Sequence, residues 1–138
     1  MTQTEIQERN KEIVLMLGFK YKNQAKHWGR YPLNNGSFLS RLGYIQMNDL
    51  KFHVDSNWLM EAFEFVQGLR LKVPNYSVAE YYIISFGSTF CSIRSGLNHA
   101  DGETKSPFFY ESVSLGKNLK ESMFIAVSDF ARFYNRTL

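Results

Sequence analysis

A length of 138 residues fits one domain, and such a chain can bury a core without metal ions or disulfides. Its hydrophobic fraction of 44% and aromatic fraction of 16% exclude an intrinsically disordered chain. The single cysteine excludes an intramolecular disulfide and a thiolate metal cluster, and a net charge of +3 is too small to identify a nucleic-acid-binding protein.

The first predicted element is a helix over residues 4–17. Thr4 offers a side-chain oxygen to the amides of the first turn, and apolar residues follow at helical spacing. Gly18 stands where a residue in the left-handed conformation commonly ends a helix.

Residues 19–44, called the basic segment below, are predicted to be a long basic and aromatic connection without regular secondary structure. No Asp or Glu occurs between Glu12 and Asp49, whereas five Lys or Arg residues do. Aromatic residues are interleaved with these cations, a combination used for phosphate contact with base stacking and for anchoring an acidic protein partner. We predict a partner-binding surface formed by Lys20, Lys22, Lys26, Trp28, Arg30, Tyr31 and Arg41. The alternative is that Trp28 and Tyr31 tuck under a sheet edge while the cations are merely solvated.

A second helix is predicted in FHVDSNWLMEAFEFVQGL, residues 52–69. Asp55 or Ser56 can cap its first turn, apolar residues follow at helical spacing, and Gly68 marks its end. His53 and Asp55 share one side of an extended strand, a spacing compatible with a metal pair or an acid-base dyad. We favour the structural interpretation, in which Asp55 caps the helix and His53 ends a strand.

A β-hairpin is predicted in EYYIISFGSTFCSIR, residues 80–94. Gly87 and Ser88 suit a two-residue turn, which pairs Phe86 with Thr89 and Ile84 with Cys91. The paired apolar residues then form one buried face, and the opposite face is predicted to be covered at least in part. Cys91 lies on the apolar face, where a thiol is an inert small hydrophobe.

The third and longest predicted helix has apolar residues stepping by three or four from Leu119 to Tyr134. Asn118 and Glu121 form a capping pair, with Ser114 as an alternative start. Two weaker strands are predicted, one in YIQMNDLKFHV and one in PFFYESV. The predicted fold class is therefore α+β: a single domain over residues 1–138, with three helices and a small antiparallel sheet of about three or four strands, arranged like an α-β-α sandwich.

Three blocks of the sequence, NKEIVLMLGFKY, LKFHVDSNWLMEAFEFV and AVSDFARFYN, resemble a group of small proteins encoded by phages and prophages. The resemblance covers about a third of the chain, and it implies an α-β-α sandwich and a phage setting. It implies no catalytic residues. The first ten residues, MTQTEIQERN, lack a leader pattern, and no apolar run approaches the roughly 20 residues of a membrane span. We therefore expect a soluble protein in the host cytoplasm, with no membrane partner.

The sequence contains neither a nucleophile elbow nor a phosphate-binding loop, and the acidic residues of NHADGETKS lack the spacing of a calcium loop. We predict no catalytic site, no metal site and no cofactor. The leading hypothesis is a non-enzymatic phage accessory protein that binds a host or defence protein as an inhibitor or adaptor. The alternatives are a nucleic-acid-binding protein that uses the same basic segment and a small enzyme with an unrecognised site. The sequence leaves the oligomeric state open.

Overall fold

The computed structural model describes residues 1–22, 27–30, 44–46, 49–97 and 106–138. These residues contain three α-helices, which are α1 (Gln3–Met16), α2 (Ser56–Gly68) and α3 (Leu119–Thr137). They also contain eight short strands: β1 (Phe19–Lys22), β2 (His27–Arg30), β3 (Tyr44–Gln46), β4 (Leu71–Lys72), β5 (Ala79–Glu80), β6 (Tyr82–Phe86), β7 (Phe90–Ser95) and β8 (Glu111–Leu115).

The strands form antiparallel sheets in chain order, namely β1-β2-β3, β4-β5 and β6-β7-β8. Helices and antiparallel sheets share one hydrophobic core, which confirms the predicted α+β class and the single domain. The two weaker predicted strands are present as β3 and β8, although β8 begins at Glu111 and leaves PFFY outside it. None of the described helices is long and apolar enough to cross a membrane.

Side-chain caps fix where each helix begins. Thr2, not Thr4, caps α1, because its hydroxyl accepts the amide hydrogen of Glu5 at 3.1 Å. The carboxylate of Asp55 accepts the amide hydrogens of Asn57 and Trp58 at 2.9 and 3.2 Å. Asp55 is therefore the N-cap of α2, as predicted.

The start of α3 and the end of α1 can also be compared with the predictions. Asn118 accepts the amide hydrogen of Glu121 at 2.9 Å, so α3 begins at Leu119. The alternative start at Ser114 is wrong, because Ser114 belongs to β8. Gly18 has a φ of 91°, and it ends α1 in the predicted left-handed conformation.

The β6-β7 hairpin forms, but its register differs by two residues from the predicted one. Phe86 pairs with Cys91 and Ile84 pairs with Ile93, and the amide of Gly87 donates to the carbonyl of Phe90 at 3.0 Å. The ring of Phe90 lies against Gly87 so closely that a Cβ there would collide with it. Because side chains alternate with a period of two, a two-residue shift keeps the predicted residues on the same face. The prediction that Phe86 is buried on this face is wrong, because Phe86 is 56% exposed.

The inner face of the β6-β7-β8 sheet packs against α3. The ring of Phe130 makes edge contacts with Tyr82 and Tyr110, at centroid distances of 4.7 and 5.2 Å. Phe63 on α2 and Phe130 on α3 are both buried, as their positions in the apolar stripes predict. On the outer face Ile83 is half-buried, whereas Val113 and Leu115 are exposed, so the predicted partial cover is confined to one part of this face.

Candidate partner-binding surface

The described part of the basic segment forms a sheet and is not a structureless connection. Strands β1 and β2 both lie within residues 19–44, and β3 begins at Tyr44. Tyr21 pairs with Trp28 across β1 and β2, and Trp28 pairs with Ile45 across β2 and β3. The prediction of no regular secondary structure is therefore wrong for residues 19–22 and 27–30. Aromatic residues alternating with polar ones in this region serve a half-buried strand.

Trp28 is a core residue. Only 4% of its surface is exposed, and its ring lies 5.1 Å from that of Tyr21 at an angle of 54°. Phe19 and Ile45 are buried in the same cluster. The predicted role of Trp28 as an exposed anchor therefore gives way to the other sequence alternative, in which this side chain is tucked under the sheet.

The opposite side of β1 carries a cation. Lys20 is exposed between the buried Phe19 and the half-buried Tyr21, as the alternation of a strand requires. Four of the predicted site residues lie on one ladder, namely Lys20 and Lys22 on β1 and Trp28 and Arg30 on β2, where Arg30 pairs with the buried Phe19. The other three, Lys26, Tyr31 and Arg41, lie outside the described residues.

The acidic residue that precedes the basic segment in the sequence is engaged elsewhere. The side-chain amide of Asn135 donates to the carboxylate of Glu12 at 2.9 Å and to its backbone carbonyl at 2.9 Å. Glu12 is thus tied to α3, and the sequence offers no further carboxylate before Asp49. The positive charge of this stretch is therefore not balanced by acidic residues of its own.

His53 lies at a separate shallow cleft of about 460 Å³, lined among others by Ile6, Leu119, Lys120 and Phe124. It sits in a turn before α2, so the prediction that it ends a strand is wrong. Burial lowers the pKa of His53. Lys120 Nζ donates to the carbonyl of Val54 at 3.3 Å, so this charged group of the cleft lining already has a backbone partner.

Sequence reasoning missed Asn10, which positions His53. The side-chain amide of Asn10 donates to the carbonyl of Ile6 at 3.1 Å, and its oxygen accepts the amide hydrogen of Phe52 at 2.9 Å. Asn10 is buried on the core side of α1, where it stands near Ile13 and Val14 in the sequence. A polar residue within an apolar helix stripe was the available signal.

Cys91 and the acidic residues give no sign of further chemistry in the described part of the chain. Burial raises the pKa of the Cys91 thiol to about 11, which keeps it protonated near neutral pH. No group of three or more His, Cys, Asp or Glu residues is placed to hold a metal ion among the residues that the structure describes. The acidic loop NHADGETKS falls outside those residues from Asn98 to Lys105.

Comparison with known proteins gives no relative from which a role can be transferred. No protein-family model, no curated protein and no solved structure matches this chain significantly. The function must therefore be argued from the residues described above.

Proposed function

We propose that this chain is a non-enzymatic phage or prophage accessory protein that acts by binding a macromolecular partner. The partner is a host or defence protein, on which the chain acts as an inhibitor or an adaptor. The contact surface is the solvent-facing side of the β1-β2-β3 sheet together with the rest of the basic segment. The phage setting rests on the resemblance of the three helical blocks.

The single observation that carries the proposal is the exposed Lys20 on a strand whose neighbouring residues face the core. Phe19 and Trp28 hold the sheet in place, so Lys20, Lys22 and Arg30 lie on a supported strand pair. A supported surface loses less conformational entropy on binding than a free connection does. Trp28 thus acts behind the contact surface and not as part of it.

The proposed partner surface is acidic, because Lys20, Lys22, Lys26, Arg30 and Arg41 have no carboxylate between them in the sequence. Complementary charge raises the association rate and suppresses wrong partners more than it raises affinity. The binding should therefore weaken as salt increases, but less steeply than binding to a polyphosphate backbone.

Nucleic acid is the second candidate partner, since the same cations suit phosphate groups. The burial of Trp28 removes one of the rings that base stacking would use, and it equally removes the predicted anchor for a protein partner. Gel shifts at two salt concentrations separate the candidates, because several phosphate contacts demand a steep fall in affinity with salt.

The test begins with capture of partners from infected or lysogenic cells and continues with affinity measurement on the captured partner. Replacing Lys22, Lys26, Arg30 and Arg41 together by Ser should weaken binding about tenfold or more while leaving thermal unfolding nearly unchanged. A matched control replaces four cations outside the segment, namely Lys11, Lys72, Lys117 and Arg136, all of which are exposed. It removes the same charge and should retain binding. Equal binding by the segment variant and the wild type would overturn the proposal.

A further inference from the structure

The outer face of the β6-β7-β8 sheet carries exposed apolar residues in neighbouring register positions. Phe90 pairs with Leu115 across β7 and β8, and Val113 lies one alternate position along β8. Phe90 is 39% exposed, Val113 is 63% exposed and Leu115 is 73% exposed. Exposed apolar side chains that are contiguous in this way mark an interaction surface far more often than scattered ones.

The same face ends in two opposite charges. Arg94 on β7 pairs directly with Glu111 on β8, and both residues are exposed. None of the ion pairs in the described part of the chain involves either residue. Each strand of this pair therefore presents an apolar residue at one end and an exposed charged residue at the other.

We propose that this outer face binds the same face of a second copy of the chain. In this dimer the two sheets face each other, and the two-fold axis runs parallel to the strands, midway between the sheets and above the gap between β7 and β8. Each β7 then lies over the β8 of the other copy. Arg94 of each copy then faces Glu111 of the other, and Phe90 faces Leu115. The register thus makes the face complementary to itself in charge and in apolar contact, which is the requirement for an isologous interface.

Sheet geometry sets the expected strength of this contact. Only β7 and β8 overlap in this arrangement, and two strands at a spacing of ~4.8 Å, each with about five residues rising ~3.3 Å, cover roughly 10 by 17 Å. This area is smaller than that of most stable interfaces. The dimer should therefore dissociate at concentrations on the order of 10 to 100 µM. The interface is distinct from the basic segment, so a negative result for the dimer would not contradict the proposed binding of a partner, and the reverse also holds.

The experiment measures the mass of the full chain by sedimentation from about 1 to 500 µM, a range that spans the expected dissociation constant. Val113→Lys places two unpaired charges in the interface and should weaken the dimer at least about thirtyfold. Val54→Lys is the matched control, because Val54 is 57% exposed in the turn before α2. It should dimerise like the wild type.

Charge exchange tests the arrangement itself. Arg94→Glu and Glu111→Arg should each weaken the dimer about tenfold, because like charges then face each other twice. The double exchange should return the dissociation constant to within about threefold of the wild type, since the opposite charges are restored. A wild-type chain that stays monomeric at about 500 µM, well above the expected dissociation constant, would overturn the proposal. A dimer that Val113→Lys does not weaken, or a double exchange that fails to recover, would overturn it as well.

Discussion

The side-chain nitrogen of Asn10 lies 3.1 Å from Nδ1 of His53 and links the first helix to the turn before the second. Because Asn10 also donates to Ile6 and accepts from Phe52, its amide orientation is fixed by both neighbours. The nitrogen of Asn10 therefore donates, and Nδ1 of His53 accepts. The neutral imidazole carries its proton on Nε2 in this arrangement.

Protonation of His53 should weaken the fold. Burial lowers the pKa of His53 below its ordinary value near 6.5, so the unfolded chain binds this proton more readily than the folded one. The stability contribution is present above pH 6.5 and is lost as the pH falls through that value toward the folded pKa. Urea unfolding between pH 5 and pH 7.5 should show wild type losing stability relative to His53→Gln as the solution is acidified. Identical pH slopes for the two proteins would contradict this assignment.

The core contact between α3 and the sheet predicts a large loss for Phe130→Ala. Phe130 is completely buried and packs on Tyr82 and Tyr110, so removal of its ring should cost about 3 to 5 kcal/mol. Phe63→Ala in α2 should cost a similar amount. Phe86→Ala is the control, because Phe86 is 56% exposed and its loss should cost about 1 kcal/mol or less. Denaturant unfolding of the three variants measures these differences. Equal losses of unfolding free energy for Phe86→Ala and Phe130→Ala would show that the packing of α3 on the sheet is wrong.

Local signals allowed the helices to be predicted, whereas pairing between strands was harder to predict. Asp55 and Asn118 act on amides within three residues of themselves, so their capping roles follow from the sequence. The register of the β6-β7 hairpin brings the Phe90 ring over Gly87, a contact that a turn rule does not include. The prediction was therefore two residues out of register but correct in its choice of face.

The basic segment was ambiguous for a physical reason. Aromatic residues interleaved with cations fit a binding strip and a half-buried strand equally well, because both place rings on one side and charges on the other. Only the pairing of Tyr21 with Trp28, and of Trp28 with Ile45, decides that the ring of Trp28 faces the core. Pairing with β3 is not local, since 15 or more residues separate Trp28 from that strand. The His53 site was obscure for a similar reason, because Asn10 and His53 are 43 residues apart.

Cys91 should be unreactive while the chain is folded. With a pKa of about 11, only about one thiol in a thousand is ionised at pH 8, and the side chain is completely buried. Alkylation at pH 8 should therefore be at least about a hundredfold slower in buffer than in denaturing urea, as followed by mass spectrometry. Cys91→Ala should keep the fold at a cost of about 1 kcal/mol. Rapid labelling of the folded protein would show that Cys91 is accessible, and Cys91 would then be a candidate for a reactive thiol.

Trp28 and Lys20 lie on neighbouring strands, and Trp28 is buried whereas Lys20 is exposed. Substitutions at these two residues therefore distinguish a side chain that supports the sheet from one that contacts the partner. Trp28→Ala should cost about 3 kcal/mol or more of folding free energy, because the ring is buried against Tyr21 and the core. Trp28→Phe should cost less, since the buried indole nitrogen has no hydrogen-bond partner among the described residues and its removal leaves no acceptor there unpaired. Lys20→Ser should change stability by no more than about half a kcal/mol, because Lys20 is exposed. Thermal and denaturant unfolding rank the three variants, and binding of the captured partner is then measured on those that fold. If the Trp28→Ala protein were as stable as the Lys20→Ser protein, Trp28 would be exposed and would again be a candidate contact residue.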